Sequence, residues 1–238
     1  MSDQIYLSRL APNLRSREAR RALDDCMVMH RTLMSAFPDE LSPNGAARAE
    51  AGLLYRVEPT AAGVIVLLAQ SVLPPDWAHL PPLWLNPDTE PEVKEITEAI
   101  GRVGSGSLLR FKLVANPTRK IGTKSGSDGS KNNGKRVELR GEQEWLAWLE
   151  RKGGQSGFRL KAVRAAPHVP DVRSGLDLRA TGHKSRPDGS SARLTFCGVT
   201  FEGRLEVVDA ALFHASIRVG IGPGKSYGYG LLSLAQGG

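Results

Sequence analysis

Apolar and polar positions alternate over residues 108–115, with Leu109, Phe111, Leu113 and Ala115 on one face and Arg110, Lys112 and Val114 on the other. That is the period of a half-buried strand. Residues 5–10 also read as a strand, and Pro12-Asn13 turns the chain into a polar, Arg-rich stretch that reads as a helix from Ser16 onward. Asp24 or Asp25 is placed to cap a second helix. Two apolar or β-branched runs, 53–57 and 64–70, are separated by Pro59 and Gly63 and predict a hairpin. Residues 91–100, with proline at the first turn, predict a short helix ahead of the strand at 108–115. The order to this point is β-α-β-β-α-β.

A second series begins beyond Asn116-Pro117. Residues 118–136 are too rich in Gly, Ser and Asn for a core element and predict a loop or the tip of a long hairpin. A strand near 137–139 precedes an amphipathic helix at 142–151, on which Trp145, Trp148 and Leu149 share a face. Strands lie within 158–163 and 194–208, the latter long enough to bend or divide at Gly198 or Gly203. Asp209 caps a helix running to about Val219, and residues 230–234 form the closing strand; residues 165–193 show no clear period. The pattern predicts an α+β fold of two tandem ferredoxin-like (RRM-like) βαββαβ domains. Residues 1–117 would form the first and 137–238 the second, with 118–136 a basic flexible segment between them.

Composition narrows the class. An apolar fraction of 40% spread over 238 residues supports packed cores rather than disorder. Cys26 and Cys197 form no CxxC pair, and no secretory or membrane-length apolar run occurs, which predicts a reducing cytoplasm and no membrane. The five histidines lie too far apart to predict a metal site, and no cofactor is expected. Net charge is +7, but its distribution says more: residues 101–200 carry twenty Lys and Arg against eight Asp and Glu. Such clustering favours a nucleic-acid surface, with a solvated face as the bland alternative for any single run.

Three features carry candidate chemistry. The segment from Gly220 to Gly230, GIGPGKSYGYG, lets consecutive amides of Gly222, Gly224, Lys225 and Ser226 converge on an anion, while Lys225 adds charge. Tyr227 and Tyr229 either stack on bases or pack. A phosphate-binding P-loop is excluded, because Val219 stands where its first glycine belongs and the loop precedes a strand. A plain turn between helix and strand is the alternative. His30 follows Cys26 and precedes Leu33 and Phe37 at helical spacing, so it is either a packed core histidine or one placed where an apolar face meets a polar cleft, with Arg31 and Thr32 beside it. There an imidazole could move the proton of an RNA 2′-hydroxyl during attack on the adjacent phosphate, with no metal required. Arg119, Lys120, Lys124, Lys131, Lys135 and Arg136 lie in or beside the flexible segment, where basic tips can grip duplex phosphates.

These features sit in a sequence that resembles the Cas6e family (CasE or Cse3), the CRISPR RNA endoribonucleases of type I-E systems. The resemblance is carried by IYLSRLAPNLRSREARRAL, MHRTLMSAFPD, LRFKLVANPTRK, GKRVELRGEQEWLAWLERKGG, GFRL and FEGRLEVVDAALFHASIRVGIGPGKSYGYGLLSLA. It implies two ferredoxin-like domains, binding of the CRISPR repeat stem-loop, and metal-independent cleavage at the 3′ base of its stem. It also implies that the processed guide RNA is kept for the Cascade complex, with other Cascade subunits as partners. His30 falls on the family's catalytic histidine, the basic segment on its RNA-groove element and the glycine loop on its RNA-contacting loop. Many relatives carry a catalytic tyrosine three residues before the histidine, and here that position is Met27. A thioether cannot donate a proton, so either His30 acts with another group, such as Arg31, Tyr6 or Tyr227, or the protein is a weakly catalytic or non-catalytic RNA-binding subunit.

Overall fold

The computed structural model describes residues 4–41, 47–60, 63–120, 136–177, 180–185 and 190–237. In chain order the first half runs β1 (Tyr6–Leu10), α1 (Arg17–Asp24), α2 (Cys26–Met34), α3 (Ala47–Ala51), β2 (Leu54–Pro59), β3 (Ile65–Ser71), β4 (Glu92–Glu95) and α4 (Thr97–Gly101). Its strands form one antiparallel sheet in the order β2-β3-β1-β4, as a ferredoxin-like βαββαβ unit requires. The crossover from β3 to β4 holds a 3-10 turn, Trp77–His79, where the unit's second helix would lie.

The second half runs β5 (Leu108–Ala115), β6 (Thr118–Lys120), β7 (Arg136–Glu138), α5 (Glu142–Gln155), β8 (Phe158–Leu160), β9 (Ala162–Val163), β10 (Ala166–Pro170) and β11 (Val172–Leu176). It continues with β12 (Ala180–Ser185), β13 (Ser191–Phe196), β14 (Val199–Val207), α6 (Ala210–Val219) and β15 (Leu232–Gln236). The sheet order β11-β14-β5-β15, with β8 alongside the far end of β14, repeats the ferredoxin-like order. Three two-stranded ribbons are inserted into it: β6 with β7, β9 with β10, and β12 with β13.

Two sequence expectations are corrected. Residues 91–100 are not one helix: Glu92–Glu95 pairs with β1 as an edge strand, and the helix starts at Thr97. Every residue of β4 is exposed, so its charges suit an edge, and pairing overrides local preference. The alternating strand at 108–115 does not close the first unit. It lies at the centre of the second sheet, between β14 and β15, so a boundary after residue 117 cuts through that unit. Alternation identifies a strand and its buried face but is silent on its partner.

Two cores result. Leu10, Met29, Leu33, Trp77 and Trp84 pack in the first; Phe111, Leu113, Trp148, Phe158, Phe201 and Phe213 pack in the second. The units are also stitched together. Ile5, from the first, is buried in the second core. Arg56 of β2 is 3% exposed, and its guanidinium donates to Leu231 O at 3.1 Å, Ser233 Oγ at 2.9 Å and Glu58 Oε1 at 2.6 Å. Buried Gln70 donates to Ile217 O, at the end of α6, at 2.8 Å.

Candidate active site and nucleic-acid interface

Helix α2 is short, and what fixes its start is Asp25. The Asp25 carboxylate accepts hydrogen bonds from the amides of Met27 (2.8 Å) and Val28 (3.2 Å), an N-cap that satisfies two otherwise unpaired donors. Its other oxygen accepts from the His183 amide at 3.1 Å and lies 3.2 Å from His183 Nδ1, while Thr181 Oγ1 donates to Asp24 O at 3.3 Å. The β12–β13 ribbon is thereby clamped across the start of the helix. Burial raises the Asp25 carboxyl, but the His183 ring and the amides of Val28, Met27 and His183 outweigh it and hold the group below the usual aspartate value.

Cys26, Met29 and Leu33 point into the core, and His30 lies at the edge of that stripe, half-buried. Its Nδ1 is buried without a hydrogen-bond partner among the described residues. A buried ring nitrogen left unpaired is costly and calls for a reason. Burial, together with the positive charge of Arg48 on α3, pushes His30 down to about 4. It is therefore neutral at pH 7 and able to accept a proton. Arg48 is itself half-buried, anchored by an Nη1 hydrogen bond to Leu53 O at 3.0 Å.

The glycine-rich loop comes to the same place. Gly220, Gly222, Gly224, Gly228 and Gly230 all have positive φ. At Gly222 (φ 86°) a Cβ would also stand 2.9 Å from Trp148 Cζ2, and at Gly224 (φ 82°) 2.9 Å from Tyr229 Cδ2, so neither position accepts a side chain without moving the loop. Between them and Gly228 the chain makes a 3-10 turn, Lys225–Tyr227, that packs on α2 and β2. The buried Tyr55 hydroxyl fixes this contact, lying 3.4 Å from Ser226 O and 3.5 Å from Cys26 O. The amides of Gly222, Gly224 and Lys225 make no hydrogen bond to another described residue, leaving donors for an anion. Tyr227 stacks on Phe196 of β13 with ring centroids 4.6 Å apart, and the Tyr229 hydroxyl donates to Phe196 O at 3.3 Å. Both tyrosines therefore pack within the protein.

Lys225 lies below the usual lysine range through its burial and the neighbouring charges of Arg48 and Lys152. Lys152, on α5, is lowered in turn by burial and by Arg151 and Arg136. Arg136, Lys152, Lys225 and Arg48 thus form a line of cations from the β6–β7 ribbon to His30. Arg119 and Lys120 are exposed on β6, and Arg136 donates to Thr118 Oγ1 at 3.3 Å. Lys124, Lys131 and Lys135 lie outside the described residues. Met27 stands on α2 one turn before His30. Arg31 is exposed, with Nε donating weakly to Met27 O at 3.4 Å. The sequence pattern points to neither Arg48 nor Lys152: the first sits in an alanine-rich stretch, the second in a helix identified by its tryptophan face.

The family model described as CRISPR associated protein matches residues 5–236. The CRISPR-associated endoribonuclease Cse3 of Thermus thermophilus is 37% identical over 244 residues, covering 97% of this chain and all of that one. The CRISPR system Cascade subunit CasE of Escherichia coli (strain K12) is 39% identical over 133 residues, covering 55% of this chain and 59% of that one. Among solved structures, Thermus thermophilus Cse3 bound to an RNA representing a pre-cleavage complex superposes with a TM-score of 0.72 at 34% identity, covering 98% of this chain and 99% of that one. Ferredoxin-like order in both sheets, a histidine beside a glycine loop and a match spanning nearly every residue agree: the chain belongs to the CRISPR-associated Cas6e (CasE/Cse3) family.

Proposed function

We propose that this chain is an endoribonuclease that binds the stem-loop of a CRISPR repeat, cuts at the 3′ base of the stem without a metal, and keeps the product for the Cascade complex. The observation that carries the reading is His30, neutral and with a buried unpaired Nδ1, at the end of the cation line that passes through Lys225 and Arg48. The RNA-bound Cse3 neighbour and the Cascade-subunit relative support the substrate and the partner. Among the described residues no helix is long and apolar enough to cross a membrane, and the reading places the protein in the cytoplasm.

The stem lies along Arg119, Lys120, Arg136 and Lys152, contacts that position RNA without reading its sequence, with Lys124, Lys131 and Lys135 as further grips from the same segment. The loop amides at Gly222 and Gly224, with Ser226 and Lys225, hold the backbone near the cut. His30 takes the proton of the 2′-hydroxyl as its oxygen attacks the adjacent phosphorus. The bond from phosphorus to the 5′-oxygen breaks, leaving a 2′,3′-cyclic phosphate and, once that oxygen is protonated, a 5′-hydroxyl. Arg48 offsets the charge gathering on the phosphoryl oxygens. With Met27 unable to donate, Lys225 supplies the second proton, its lowered ammonium being a better acid near neutral pH.

His30→Ala is expected to bind a repeat hairpin as the parent does and to lose cleavage in EDTA. Undiminished cutting by that variant would remove His30 from the chemistry. Met27 favours a second reading, a non-catalytic RNA-binding subunit, which clean EDTA-resistant cutting by the unaltered protein rules out.

A further inference from the structure

The active-site cations account for one flank of α2; its other flank carries arginines that the reading so far leaves unused. Arg17, Arg20 and Arg21 are exposed on the outer face of α1, and Arg31 is exposed on α2. None of the four makes an ion pair among the described residues. Arg17 stands three and four residues before Arg20 and Arg21, spacings at which like charges repel across a helix turn. An open groove of about 530 Å³ separates this face from the segment after the Trp77–His79 turn. Arg21 and Arg31 line it together with Thr32, Ser35 and His79, and Leu80-Pro81-Pro82 forms an apolar wall. Ser35 is fixed there by donating to Thr32 O at 2.8 Å and lies 3.2 Å from His79 O; Asp76 beside the groove is occupied by His79 at 3.1 Å.

The groove's place on the helix matters. At 100° per residue, Cys26 lies about 40° to one side of His30 and Arg31, at the near edge of the groove, about 100° to the other, with Val28, Thr32 and Ser35 farther round the helix. The Cys26 side meets the glycine loop, Cys26 lining one cavity together with Tyr227, Gly228 and Tyr229. A backbone held by that loop and bent over His30 would leave along the Arg31 side, into the groove. Guanidinium groups suit phosphate oxygens geometrically, and an apolar wall suits the sugar and base of an unpaired strand.

We propose that the groove between Arg21 and Arg31 binds the single-stranded RNA that follows the scissile phosphate, the strand released by the cut. The inference rests on the endoribonuclease reading and adds a separate subsite to it. In this arrangement the leaving strand is held before cleavage and loses its covalent tie to the stem afterwards, so the product stem-loop stays and the flank departs.

Two RNAs blocked by a 2′-deoxy nucleotide at the cut test this on the full chain: a repeat hairpin ending at the cut, and the same hairpin with a short 3′ extension. The extended RNA is expected to bind about tenfold more tightly, the value of one charge-assisted contact. The slope of log K against log salt should steepen by about 0.7 for each added single-strand phosphate contact. Arg21→Glu, a change at an exposed position, is expected to erase both differences while leaving the short hairpin's affinity unchanged. Equal affinity of the unaltered protein for the two RNAs overturns the proposal, as does an equal loss on both RNAs in Arg21→Glu. Equal RNA affinities combined with impaired assembly of Arg21→Glu with Cascade subunits would assign the arginines to a protein contact instead. Failure of the unaltered protein to bind even the short hairpin would bring down the endoribonuclease reading itself, and this subsite with it.

Discussion

His30 is held neutral by its surroundings, and that fixes the sign of two pH effects. Its native value of about 4 lies below the ordinary ~6.5 of an unfolded histidine. Between those two values the unfolded chain binds more protons, so His30 makes stability fall as pH drops through that window and contributes no slope above it. Thermal melts at several pH values should show a flatter acid limb for His30→Ala than for the parent. In catalysis, the base form is present above the native value and lost below it. Arg48 is one of the two causes of the depression, so Arg48→Gln is expected to move the acid limb of the cleavage profile to higher pH while lowering the plateau rate. An unshifted limb would place Arg48 outside the reach of His30. The missing hydroxyl at Met27 offers a third measurement: if Lys225 is the acid, Lys225→Ala should lose about 100-fold or more in rate, within the span of general acid catalysis. Met27→Tyr in that background should restore part of it, without the hairpin affinity changing in parallel.

At the scale of elements, the glycine loop and α2 function as a matched pair, and their anchors are open to test. Gly222→Ala combines a positive φ with a contact of 2.9 Å to Trp148 and is expected to cost about 1–3 kcal/mol in stability and to weaken RNA binding by displacing Lys225. Denaturant titration and an RNA affinity measurement check the two halves separately. Asp25→Ala removes the N-cap of α2, a loss of about 1 kcal/mol, and also frees the β12–β13 ribbon. At this scale the sequence is readable in a specific way. Most strands of the two main sheets, a cap at Asp24 or Asp25, the cap at Asp209 and the glycine loop follow from period and local hydrogen bonding, both of which are written within a few residues, whereas the strands within 165–193 show no period to read. What period does not contain is partnership. Leu108–Ala115 reads as a strand equally well in either sheet, and Glu92–Glu95 reads as helix because its edge position beside β1 is a tertiary fact. His30 and the loop are legible as motifs, whereas Arg48 and Lys152 become functional candidates only when folding brings α3 and α5 to the loop. The same holds for Tyr227, whose stacking on Phe196 joins residues from separate ribbon and loop segments.

The molecule as a whole depends on a few buried polar ties between its two sheets. Arg56 is the chief one, and Arg56→Ala would leave Ser233 and the Leu231 carbonyl without their donor and Glu58 with Lys112 at 3.3 Å as its remaining cation. Leaving a buried carbonyl without its donor costs about 1–3 kcal/mol, so the urea midpoint should fall measurably, and an unchanged midpoint would show the units to be joined mainly by apolar contact. The central position of β5 carries a further consequence for how the chain is made. This strand is made well before its two neighbours, Val199–Val207 and Leu232–Gln236, which lie far downstream in the chain. Until then Phe111 and Leu113 have no sheet to enter, and pairings this distant in sequence form slowly. The growing chain therefore carries an unpaired apolar strand while the whole stretch between Ala115 and Val199 is made. A chain cut short before residue 199 would be expected to aggregate rather than to survive as a stable half.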